Sequence, residues 1–165
     1  MNDLKNKLKV YIENNLIETT NVLKQCRYME CEASFDTFKN TSNIQDYIDS
    51  YEEYSDFQTM LFKLIDSKNL KDSDVYNKVH IDRRLFSKIR SDKNYHPSKE
   101  TVILLAIALE LSENELDELL DSASYSLPKN NKYDLIIRFC FINKIFKLTD
   151  INDLLYEYNC RLFSY

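Results

Sequence analysis

The chain contains no glycine, and its only prolines are Pro97 and Pro128. A left-handed backbone conformation costs a residue with a Cβ about 1–2 kcal/mol, so hairpins with tight primed turns are poorly served by such a sequence. Phosphate-binding loops need glycine where the backbone closes on the ligand, which removes Walker-type, dinucleotide-binding and kinase-type nucleotide sites. The fold class best suited to this restriction is all-α, with Asn, Asp and Ser at the turns.

Hydrophobic spacing predicts the same class. Leu4, Leu8, Tyr11, Ile12 and Leu16 share one face of a helix over residues 2–16, whereas residues 18–42 lose that order and read as an irregular connection or a loosely packed second element. Helical spacing returns at Ile44, Tyr47, Ile48, Tyr51 and Tyr54 and continues through Phe57, Leu61, Leu64 and Ile65, as one long helix or two with a break near Ser55. The tyrosine stripe predicts packing, or an aromatic anchor for a partner. Beyond Leu70 the predicted helices shorten. Asp72 or Ser73 is a candidate cap for a helix carrying Val75 and Val79, and Asp82 for one carrying Leu85, Phe86 and Ile89. Pro97 and Ser98 open an apolar helix through Leu109, and Ser112 with Glu115 forms a capping box before Leu116, Leu119, Leu120 and Ala123. After a break at Leu127 and Pro128, one helix carries Leu135, Ile136, Cys140 and Phe141, with Phe139 on its flank. A last one after Thr149 carries Ile151, Leu154, Leu155 and Tyr158. Seven or eight helices with short connections predict a compact helical bundle.

Charged residues make up 30% of the chain and hydrophobic ones 44%, the range of an ordinary globular protein. The longest apolar run, Val102 to Leu109, is eight residues, well short of the roughly 20 a membrane-spanning helix needs. Lys5, Lys7 and Lys9 have no apolar segment behind them and no small-residue cleavage site, so a cytoplasmic protein with no membrane partner is expected. Cys26, Cys31, Cys140 and Cys160 lack the spacing of a zinc framework and read as reduced thiols, Cys140 as a packing residue. The acids Glu110, Glu113, Glu115, Asp117, Glu118 and Asp121 lack the ligand spacing of a calcium loop, and His80 and His96 have no nucleophile in a recognisable pattern beside them. No metal, cofactor or enzymatic step is expected.

Charge is unevenly distributed. The formal net charge is −5, yet residues 78–99 hold seven Lys or Arg against two acids, a local balance of +5 that leaves −10 for the remainder. Such polarity suits a DNA-facing patch on an acidic protein, because phosphate neutralisation supplies much of the binding free energy. It also suits a solvated basic face, or one that receives an acidic protein.

The segment "LKDSDVYNKVHIDRRLFSKIRSDKNYHPSKETVILLAIALELSENELDELL", residues 70–120, carries ordered landmarks: Leu70 before a second helix, Phe86 and Ile89 as an inward pair on a third, Pro97 before a fourth, and Ala106, Ala108 and Leu109 before a capped fifth. In these it resembles the lambda-repressor-like (XRE-like) helix-turn-helix family of phage repressors and bacterial regulators, over about residues 57–125. Four positions depart from the family pattern: Tyr76 replaces a small residue inside helix two, His80 a turn glycine, Arg90 a glutamate and Asp92 a glycine. Tyr76 must push helices two and three apart or point outward, whereas His tolerates a left-handed turn at modest cost. The rest of the chain lies outside this resemblance, and the whole arrangement resembles a bacterial helical family that pairs such a module with a C-terminal extension, a likeness that assigns no activity.

The resemblance implies a five-helix module at 57–125, an N-terminal helical arm at 1–56 and a C-terminal helical extension at 126–165. It implies a transcriptional regulator that binds double-stranded DNA, with helix 82–91 as recognition helix in the major groove. Arg83, Arg84, Ser87 and Lys88 would then face base edges, with Arg90 at the end of the same helix. Lys93, Asn94 and Lys99 would hold phosphates, and Asp72 would repel DNA. The N-terminal arm and C-terminal helices would then brace the module or make a homodimer reading two half-sites, for which "LIIRFCFINKIF", residues 135–146, is the better seam candidate. The rival expectation is an adaptor that uses the same helices to hold another protein and reads no DNA.

Overall fold

A computed structural model gives the fold of residues 2–17 and 56–164. The irregular segment predicted over 18–42 and the tyrosine stripe before Ser55 lie outside these described residues. Among them are eight helices and no strand: α1 (Asn2–Asn15), α2 (Phe57–Ser67), α3 (Asp72–Lys78), α4 (Arg83–Ser91), α5 (Lys99–Ala108), α6 (Glu113–Ser122), α7 (Lys132–Ile142) and α8 (Leu148–Glu157).

Side-chain caps set most of the starts. Asp56 accepts a hydrogen bond from the Thr59 amide and so begins α2 just after the break expected near Ser55. Asp82, Ser98 and Asn131 cap α4, α5 and α7, and the Ser112–Glu115 capping box opens α6 with both reciprocal bonds made. Two starts differ from the sequence expectation. Lys71, not Asp72 or Ser73, is the N-cap of α3, and the acids fall inside its first turn, where they face the positive end of the helix dipole. Helix α8 begins at Leu148, one residue before Thr149, again without a side-chain cap.

Helix ends show how a glycine-free chain turns. Asn69, His80, Glu110, Ser124, Lys144 and Asn159 all have φ between 50° and 57°, each two residues past the end of a helix. At every one, two backbone bonds close a Schellman motif; after α6, for instance, the Ser124 amide donates to the Asp121 carbonyl and the Tyr125 amide to that of Leu120. The residue after each turn is apolar or aromatic (Leu70, Ile81, Leu111, Tyr125, Ile145, Cys160), the site of the hydrophobic contact that accompanies this motif. Asn and Ser fill three of the six positions, and His, Glu and Lys the others, where no Asp stands. Since glycine carries no Cβ penalty there, Ser124→Gly is expected to raise stability by about 1 kcal/mol in chemical denaturation. A lower midpoint at unchanged m-value would contradict that account.

Helix α5 is buried on every side from Val102 to Ala108, as a helix apolar all round must be. Around it α3 packs on α5 and α4, α2 on α6, and α6 on α5. Helix α7 packs on α1, α6 and α8. Leu135, Ile136, Ile137, Phe139, Cys140 and Phe141 are all buried on it, so Phe139 belongs to the core and not to a flank. Of the apolar side chains in 135–146, the expected dimer seam, Ile142 alone is exposed. Arg138 interrupts this apolar run as a clamp, 15% exposed, with its guanidinium donating twice to Asp117 at 2.8 and 2.9 Å and once to Glu113 at 2.7 Å. Those carboxylates, Asp117 first, hold Arg138 above its ordinary range despite its burial.

Candidate nucleic-acid interface

Helix α4 divides sharply into two faces. Phe86 and Ile89 are 2% and 1% exposed, whereas Arg83, Arg84, Ser87, Lys88 and Arg90 are all exposed. Phe86 is gripped edge-on by Phe62 at 6.1 Å and at a tilt by Tyr76 at 5.5 Å. The Tyr76 ring is therefore half-buried in the α3–α4 contact, not turned outward. His80 takes the left-handed conformation expected of it, at φ 55°. Asp82 caps the helix by accepting from the Arg84 amide at 2.6 Å, so a carboxylate already occupies the anion-binding end of α4.

The end of α4 is built differently from the helix ends around it. Asp92 is extended (φ −110°, ψ 101°), so the glycine usual at this place has no left-handed turn to serve. The final carbonyls are met from α2, where the Gln58 amide donates to Ile89 O at 2.9 Å and also to Arg90 O. Arg90, still half exposed, lies across the Phe62 ring, its guanidinium 4.1 Å from the ring centre and 2.6 Å from Asp72 Oδ1. Asp72, expected to repel DNA, is thereby neutralised, and Arg90 is engaged in doing so.

The remaining predicted residues separate into two groups. Lys88 lies 4.6 Å over the Tyr95 ring, still exposed, and Lys93 and Asn94 sit in the exposed turn that follows, where the Asp92 carboxylate accepts from the Asn94 amide at 3.0 Å. Close by, the bond from the Thr59 amide, with a smaller contribution from the charge of Lys93, holds the Asp56 carboxyl below its usual range. Lys99 belongs elsewhere: its ammonium is 2.6 Å from Oδ1 of Asp134, which is 2% exposed at the start of α7. Lys78 likewise donates to the Ala108 carbonyl at 3.0 Å and to the Glu110 carboxylate. Three of the seven bases in 78–99 thus face acids outside that window, leaving Arg83, Arg84, Lys88 and Lys93 against Asp82 and Asp92, a local balance of +2.

Burial pushes the Cys140 thiol up to about 12, so it is protonated at neutral pH and acts as a packing group. No group of His, Cys, Asp and Glu suited to a metal ion occurs among the described residues, and no helix among them is long and apolar enough to cross a membrane. Gln58, Asp134 and Arg138 had drawn no attention in the sequence. A lone acid and a lone base inside the apolar run "YDLIIRFCF" were the available signal for the last two; Gln58 offered none. No protein family, curated protein or solved structure matches this chain.

Proposed function

We propose that this chain is a double-stranded DNA-binding transcriptional regulator of the lambda-repressor-like helix-turn-helix type, with α4 as its recognition helix. One observation carries the reading. Arg83, Arg84, Ser87 and Lys88 form an exposed face on a helix whose opposite face is locked into the core by Phe86 and Ile89, and neither arginine has an acidic partner among the described residues. A rigidly mounted helix with free arginines at its N-terminal end is what major-groove reading requires, because a guanidinium grips guanine O6 and N7 through two hydrogen bonds at once. Lys93 and Asn94 are the phosphate contacts in this reading, and Lys88 joins the base-reading set.

The engagement of Arg90 by Asp72 favours a second reading, in which the reduced basic face receives an acidic protein partner. Selection of the purified chain on a random duplex library at near-physiological salt separates the two. One enriched motif is the expected result, and a palindromic motif would add a second copy of the chain to the complex. No enrichment by folded protein would overturn DNA reading and leave the adaptor.

A further inference from the structure

We infer that the DNA interface does not end with the helix-turn-helix segment: Lys144 and Lys147, on the α7–α8 connection, form a second contact to the phosphate backbone. The inference rests on the reading of α4 given above. The α3–α4 turn and the α7–α8 connection, distant in sequence, line one cleft of about 530 Å³. To it the turn region contributes Lys78 and His80, the end of α5 Glu110, and the connection Lys144, Phe146 and Lys147.

The charge in this cleft is not balanced. Glu110 is matched by Lys78, whose ammonium it shares with the Ala108 carbonyl. Lys147 has Asp150 no nearer than 4.0 Å and a side chain 73% exposed. Lys144 is exposed with no acidic partner among the described residues. Lys144 is therefore an unmatched positive charge at the surface of the cleft, and Lys147 a second that Asp150 matches only at 4.0 Å. The backbone of Lys144 is held in place, since it is the left-handed residue of the Schellman motif ending α7, bonded through its amide to Phe141 O at 3.1 Å.

Distance makes a backbone phosphate the fitting ligand. Helix α4 begins at Arg83, three residues beyond His80, and three extended residues span at most about 11 Å. A duplex that receives the first turn of α4 carries one phosphate charge per ~1.7 Å of axis, so in this arrangement its backbone is the anion that Lys144 and Lys147 would meet. Lysines bind such phosphates as point charges, which anchors the complex and carries no base preference.

The test uses the full chain and two duplexes, the selected motif and an unrelated sequence, across a salt titration. Lys144→Ala with Lys147→Ala is expected to lower the log–log salt slope by about 1.8, at ~0.9 per phosphate, and to weaken both duplexes by the same factor. Lys129→Ala with Lys132→Ala, an exposed pair outside the cleft, should leave the slope unchanged. An unchanged slope in the Lys144/Lys147 variant, or an equal loss in the control pair, overturns the second contact. If the native chain binds DNA and loses it on reversal of Arg83 and Arg84, such a result removes this contact alone. If the native chain binds no duplex at all, both readings fall together.

Discussion

Reversing Arg83 and Arg84 to glutamate is expected to abolish recognition of duplex DNA while leaving the fold intact. Each arginine that grips a guanine contributes about 1–3 kcal/mol of discrimination, so losing both costs at least thirty-fold in affinity even before repulsion between carboxylate and phosphate. Stability should hold, because both positions are exposed and lie in the first turn of α4, where an acidic side chain complements the helix dipole. Circular dichroism and thermal melting should therefore match the native chain, and fluorescence anisotropy on the selected duplex should show binding lost. Retention of binding within a few-fold of native would mean that α4 is not the reading helix.

The largest effect on stability is expected at Lys99. Among the described residues its ammonium is the one partner of the Asp134 carboxylate, which is 2% exposed, so Lys99→Met strands a buried charge. Breaking such a pair from one side typically costs about 3–5 kcal/mol, whereas replacing both partners by apolar groups is often neutral. The single variant should melt lower by roughly 10 °C, and adding Asp134→Leu should restore most of the loss. A Lys99→Met variant that melts like the native chain but binds DNA more weakly would return Lys99 to the phosphate-contacting role that its sequence position suggested.

Local features of the fold were legible in the sequence, and long-range pairings were not. Asp82, Ser98 and the Ser112–Glu115 box announce helix starts because a cap is made within three residues of itself. The same locality misleads at α3, where Asp72 has the chemistry of a cap and serves instead as the partner of Arg90, 18 positions away. Inward Phe86 and Ile89, and outward Arg83, Arg84, Ser87 and Lys88, follow from helical spacing alone. That Lys99 lies against Asp134, 35 positions on, and that Gln58 finishes α4 from 31 positions back, depends on how helices meet. No pattern within a helix encodes it. The segment 135–146 was only half legible for a related reason: periodicity reports that a face is apolar but not whether the chain itself or a second copy covers it.

The continuity of the core sets what can be taken apart. Leu8 on α1, Phe86 on α4, Ile137 on α7 and Phe163 near the C-terminus belong to one cluster of buried side chains. A fragment ending near residue 125 would bare the surface that α7 covers and lose both Asp134 beneath Lys99 and the Arg138 clamp on α6. The boundary at which the helix-turn-helix resemblance stops is thus a boundary of sequence pattern and not of packing. Helix α4 and the C-terminal helices are therefore expected to melt in one transition, and a lesion deep in α7 to lower the folded population of α4 without touching its surface.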